Sequence, residues 1–245
     1  MNWIAALVLA LALGTNLPAA EVTVAAASDL NIAIKEIIAG FEKSTGNKVR
    51  LTLGSSGNFY AQISNGAPFE VFLSADVNYP RQLEAAGRAE AGSTFIYAIG
   101  RIVLWVPERS KLDPRQTAMK TLADPSIRRV SIANPQHAPY GRAAEAAMKK
   151  AGVYDSVKTK LVFGENISQA AQFVQSGAAD IGVLALSLAK QAPGKFWEIP
   201  ADMYPRMEQG AALMKGASPA AHAFLEWLKR PQSRDILSRN GFALP

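Results

Sequence analysis

From Glu21 onward the chain alternates between two periodicities, and this alternation constrains the fold more than any other feature of the sequence. Short apolar or β-branched runs are followed by stretches whose hydrophobics recur three and four residues apart. Such alternation argues for α/β layers built on largely parallel sheets. Glu21–Ala25 reads as a first strand, Val49–Leu53 as a second and Val71–Leu73 as a buried third. Ile34, Ile37, Ile38 and Phe41 mark one face of a helix that stops near Gly46. Ile102–Val106, closed by Pro107, is a strongly apolar strand, and Val130–Ala133 and Ile181–Leu184 read as strands of a second sheet. Ala143–Lys150 and Ile167–Gln175 read as the helices between them. Phe224, Leu225 and Leu228 form a helical stripe near the end, and Gly241 follows a final short helix.

No repeat, low-complexity tract or flexible linker interrupts this pattern, so two lobes have to be joined by ordinary crossing strands. The candidates are Ile102–Val106 on the way out and Gly210–Met214 on the way back. The expected organisation is a first lobe of residues 21–105 with 206–245 returning to it, and a second lobe of residues 106–205.

Residues 1–20 carry no charge, and their apolar run Ile4–Leu13 is too short to span a bilayer. With the small-residue end Pro18-Ala19-Ala20 they read as a secretory signal peptide, despite the lack of a basic start. Cleavage after Ala20 of the 245-residue chain leaves 225 residues, enough for two lobes of about 100 each. The chain has no cysteine. That excludes a disulfide framework, thiolate metal sites, a cysteine nucleophile and a lipoprotein anchor. The net charge is +6, with Lys and Arg dispersed rather than gathered on one face as in a nucleic-acid binder.

Four places share a design in which a strand ends, small or polar residues follow, and a helix begins. They are Ala27-Ser28-Asp29, Gly54-Ser55-Ser56-Gly57, Pro139-Tyr140-Gly141 and Asn166-Ile167-Ser168. Helix N-termini present unpaired N–H groups and partial positive charge, so each turn is a potential anion seat. Taken singly, each turn is more simply an N-cap. Two fall in each expected lobe, however, and would converge across a cleft.

The ordered stretches Ala25-Ala26-Ala27-Ser28-Asp29-Leu30, Gly54-Ser55-Ser56-Gly57, Gly66-Ala67-Pro68, Leu73-Ser74-Ala75-Asp76, Asn134–Gly141 and Gly177–Gly182 resemble the periplasmic molybdate-binding proteins of molybdate ABC importers. The resemblance covers the chain from Glu21 to Pro245. It implies a two-lobed type II periplasmic binding protein fold, with the ligand cleft between lobes joined by two crossing strands. It also implies a periplasmic, non-enzymatic monomer that needs no cofactor, binds molybdate or tungstate, and hands the ion to a membrane permease. Carried over by position, the oxyanion-binding residues are Ser28, the Asp29 N–H, Ser56 by hydroxyl and N–H, and the N–H groups of Tyr140 and Ile167. Molybdenum is then held as molybdate through these residues, with no protein atom bonded to the metal. Some members have a tyrosine hydroxyl where this chain has Ala185, and the hydroxyl of Tyr140 is the expected substitute. The Asp29 side chain is expected to turn away and cap its own helix.

Two alternatives stand beside this reading. Sulfate shares the shape and charge of molybdate, so a receptor for another tetrahedral oxyanion fits the same turns. Ser187-Leu188-Ala189-Lys190 matches the Ser-x-x-Lys pattern of serine hydrolases, but its companion motifs are absent. Neither His137 nor His222 belongs to a metal-ligand spacing. His137 is expected to bond locally and Arg142 to point to solvent, leaving no formal positive charge on the ligand. Asp76 and Asp180 are expected to close strands.

Overall fold

The computed structural model describes residues 19–245, so the leader expected over residues 1–20 lies outside them except for Ala19 and Ala20. Ten strands form two five-stranded sheets. The first holds β1 (Glu21–Ala27), β2 (Lys48–Gly54), β3 (Val71–Ser74), β4 (Phe95–Gly100) and β10 (Met207–Leu213), in the order β2-β1-β3-β10-β4. The second holds β5 (Ile102–Pro107), β6 (Val130–Ala133), β7 (Leu161–Gly164), β8 (Ile181–Ala185) and β9 (Gly194–Glu198), in the order β7-β6-β8-β5-β9. Each sheet has three parallel strands followed by two in antiparallel pairing. These are the α/β layers expected from the alternation, in the two-lobed arrangement that the resemblance implies.

The helices of the first lobe are α1 (Asn31–Thr45), α2 (Ser56–Ser64), α3 (Asn78–Ala85), α9 (Pro219–Lys229) and α10 (Pro231–Arg239). Those of the second are α4 (Pro114–Thr117), α5 (Pro139–Lys150), α6 (Tyr154–Val157), α7 (Ile167–Ser176) and α8 (Leu186–Ala189). In α1, Ile34, Ile37 and Phe41 are buried, and Gly46 ends the helix at φ 76, a left-handed value that favours glycine. Phe41 meets Phe224 of α9 edge to face at 5.1 Å between ring centres, which ties the two terminal segments into one core. The second sheet has its own core, centred on Val103, Leu104, Trp105 and Ile132. No helix among the described residues is long and apolar enough to cross a membrane.

The change of sheet falls at Arg101, between β4 and β5, rather than at residue 105. Ile102–Pro107 does not bridge the lobes; it pairs with β8 and β9 inside the second sheet. Its unbroken hydrophobicity reflects burial on both faces, which the sequence does not distinguish from a crossing. The return runs through 199–206 into β10.

All six parallel strands end at the same place, the seam between the sheets. Ligands of open α/β sheets bind outside the carboxyl ends of strands, where connections diverge. Glycines let the halves meet there: a Cβ on Gly57 would lie 2.6 Å from the carbonyl oxygen of His137.

Candidate ligand-binding site

A small cavity lies at this seam, lined by Ala27, Ser28, Asp29, Gly54, Ser55, Ser56, Ala75, Ala138, Pro139, Tyr140 and Ile167. All five residues singled out from the sequence line it. Drug-sized ligands occupy pockets of about 300–1,000 Å³, and the free space here is far smaller. Among the described residues lining it there is no Lys, Arg or His.

Each turn reaches the cavity through its backbone. After β2, Ser55 is the N-cap of α2, its side chain accepting from the Asn58 N–H. This leaves Ser56 at the first helical position with its N–H directed away from the helix. After β7, Asn166 caps α7 by accepting from the Gln169 N–H, and Ile167 follows in the same way. After β6, Ala138 offers no side-chain cap to α5, and Pro139 occupies the first turn. The N–H groups of Ser56, Tyr140 and Ile167 have no acceptor among the described residues. The caps are thus Ser55 and Asn166, while Ser28, Asp29 and Ser56 play no capping part.

The two hydroxyls differ. Ser56 Oγ accepts from the Ala75 N–H at 2.8 Å, which leaves its own proton available. Ser28 Oγ donates to Asn166 Oδ1 at 3.1 Å and accepts from the Ser168 N–H at 3.3 Å, across the seam.

Asp29 departs from expectation. It is the middle residue of a short 3-10 turn, Ser28–Leu30, and does not cap it. Its carboxyl turns inward, accepting from Gln209 Nε2 at 2.7 Å and Tyr140 Oη at 2.8 Å. The other oxygen, Oδ1, has no well-directed partner. Burial pushes this carboxyl up to about 6, against the opposing hydrogen bonds from Gln209, Tyr140 and the nearby main chain. Burial and the adjacent Asp29 charge push the Tyr140 hydroxyl well above its usual value. Because it donates to Asp29, the Tyr140 hydroxyl is not the substitute donor expected opposite Ala185. Ala185 itself is buried at the end of β8 and does not line the cavity.

Gln209 and Tyr97 went unnoticed in the sequence. Tyr97 Oη donates to Gln209 Oε1 at 2.9 Å, which aims the Gln209 amide at Asp29. The available signal was one amide inside the apolar strand β10, fully buried in the structure. Gly100 makes room for this cluster, since a Cβ there would lie 2.8 Å from Tyr140 Oη.

Around the cavity, His137 bonds across the seam: its Nδ1 lies 2.8 Å from Ser55 Oγ. Arg142 does not point to solvent; it reaches across to Asp76 Oδ2 at 2.7 Å and Tyr79 Oη at 3.3 Å, outside the cavity. Asp180 does not close a strand; it precedes β8 and accepts from the Arg128 and Arg129 N–H groups just before β6. Ser187 donates to the Asp29 carbonyl at 2.8 Å, whereas Lys190 donates to the Arg239 carbonyl. The Ser-x-x-Lys pair is therefore engaged on separate partners and lacks the nucleophile–base geometry of a hydrolase.

Residues 22–243 match the family model described as bacterial extracellular solute-binding protein. The molybdate-binding protein ModA of Rhodobacter capsulatus is 43% identical, over 96% of this chain and 93% of its own. That of Azotobacter vinelandii is 42% identical, over 96% of this chain and 97% of its own. A solved structure titled as the Azotobacter vinelandii periplasmic molybdate-binding protein superposes with a TM-score of 0.85 at 36% identity, covering 91% of this chain and 99% of that one. The chain belongs to the bacterial extracellular solute-binding protein family, alongside the molybdate-binding proteins it matches.

Proposed function

We propose that this protein binds molybdate or tungstate, one ion per chain, in the cavity between its lobes and delivers it to the membrane permease of an ABC importer. It acts in the periplasm as an exported monomer, with residues 1–20 as its leader, and catalyses no reaction. The lobes, residues 21–105 with 206–245 and residues 106–205 but for the shift of the first crossing to Arg101, close over the ion. Ser28, Asp29, Ser56, Tyr140 and Ile167 hold it.

The observation that carries this reading is the meeting of three unserved N–H groups, those of Ser56, Tyr140 and Ile167, on one small cavity with the Ser56 hydroxyl. Helix N-termini and neutral donors stabilise an anion without the desolvation cost of a buried cation. The names of the relatives point to molybdate among oxyanions.

Competitive calorimetry tests the proposal. Molybdate and tungstate should bind one to one and far more tightly than sulfate. Equal affinity for sulfate would remove the molybdate assignment and leave a general oxyanion receptor.

A further inference from the structure

We infer that Asp29 couples capture of the ion to uptake of a proton: seating a dianion beside this buried carboxyl draws one proton from solvent, shared between Asp29 and the ion. The inference rests on the oxyanion reading of the cavity.

The geometry poses a conflict. Asp29 is 1% exposed and lines the same cavity as the unserved N–H groups. One carboxyl oxygen takes two hydrogen bonds and the other takes none of good direction. Asp29 forms no ion pair among the described residues. The groups that surround it are neutral: Tyr140 from α5, Tyr97 from β4 behind Gln209 of β10, Ser168 from α7 and Ser187 from α8. The charged residues of these elements are engaged or exposed elsewhere. Arg142 pairs with Asp76, Glu208 with Arg206, and Glu145 with Lys149, while Lys35 and Glu36 of α1 are exposed. Both tyrosines hold their protons far into the alkaline range because burial raises them, so Asp29 is the group in this cluster that titrates.

A carboxylate and a dianion sharing a cavity with little water repel strongly. Two carboxylates in one site resolve the same conflict by keeping a proton between them. Whether the proton rests on Oδ1 or on an oxygen of the ion, the complex holds one proton more than the free carboxylate and free dianion. Burial pushes the carboxyl up to about 6, and the charge of a seated dianion raises it further. Affinity is therefore full below that value and falls as pH rises above it, until the pH passes the higher value of the complex.

Calorimetric titration of the full chain with sodium molybdate, in buffers of differing ionisation enthalpy, reads the protons taken up. Between about pH 7 and pH 8.5 wild type should take up about one proton per ion, with Kd rising roughly five- to tenfold per pH unit. Asp29→Asn should bind with no uptake, with a Kd flat in pH and below that of wild type at the alkaline end. One-to-one binding by wild type without proton uptake overturns the inference and leaves the oxyanion reading standing. Undiminished uptake by Asp29→Asn also overturns it, because the proton then resides elsewhere. Failure to bind molybdate at any pH removes both.

Discussion

The two faces of the cavity reach the same spot by different chemistry. The first lobe brings side chains as well as main chain: the Ser56 hydroxyl, the Ser28 hydroxyl and the Asp29 carboxyl. The second lobe brings main-chain N–H groups of Tyr140 and Ile167, whose side chains are spent on packing or on Asp29. On the first face residue identity matters to a ligand directly. On the second it matters only through where the helix begins, because every non-proline residue carries the same N–H.

The comparison breaks most visibly if the faces cannot meet. Gly57→Val should lower affinity by about 3 kcal/mol or more, roughly a hundredfold, because a Cβ would strike the His137 carbonyl across the seam. Melting should change far less, since the contact lies between two separate cores. Calorimetry and a thermal melt on the same sample check both.

Removing a first-face donor should cost less. Ser56→Ala is expected to lose about 1.5–3 kcal/mol of molybdate affinity, the scale for hydrogen bonds to charged groups. It should also melt earlier, because the buried Ala75 N–H loses its acceptor. Ser28→Ala should lose about 1 kcal/mol, since its proton already goes to Asn166. Equal losses in the two variants would show that both hydroxyls turn to the ion.

On the second face, Ile167→Val keeps the N–H and should leave affinity within about 0.5 kcal/mol, while costing about 0.5–1.5 kcal/mol of stability. A loss of affinity as large as that of Ser56→Ala would erase the distinction between the faces.

The smallest effect expected of a charged residue is at the rim. Arg142→Ala should change affinity by less than about 1 kcal/mol, as for half-exposed ion pairs, because Arg142 binds Asp76 rather than the cavity. A tenfold loss would mean that charge pairing holds the ion. Added chloride should likewise have only a modest effect on wild-type binding, because neutral donors are screened little.

Much of the fold is legible in the sequence. The stripe Ile34, Ile37 and Phe41, the stop at Gly46 and the buried run Val71–Leu73 follow from periodicity and from one residue that tolerates positive φ. β4 and β9 were less legible, as was the change of sheet at Arg101. Gly194–Glu198 is half-buried throughout, with neither the clean alternation nor the solid hydrophobic run that marks a strand.

The sequence by itself determined the four strand-to-helix turns and their order, and the resemblance those turns help to carry implied five residues that line the cavity. These are local properties: a cap, a glycine and a helix start are written within a few residues. Only the tertiary structure decided what each group does there. Ser28 answers to Asn166, 138 residues away. Asp29 answers to Tyr140 and to Gln209, 111 and 180 residues away. Arg142 turns from solvent to Asp76. Hydrogen bonds and burial act through space, so partners this far apart in the chain leave no mark on the local pattern. Whether a carboxyl caps its own turn or enters a buried cluster depends on which side chains the closed lobes bring to it.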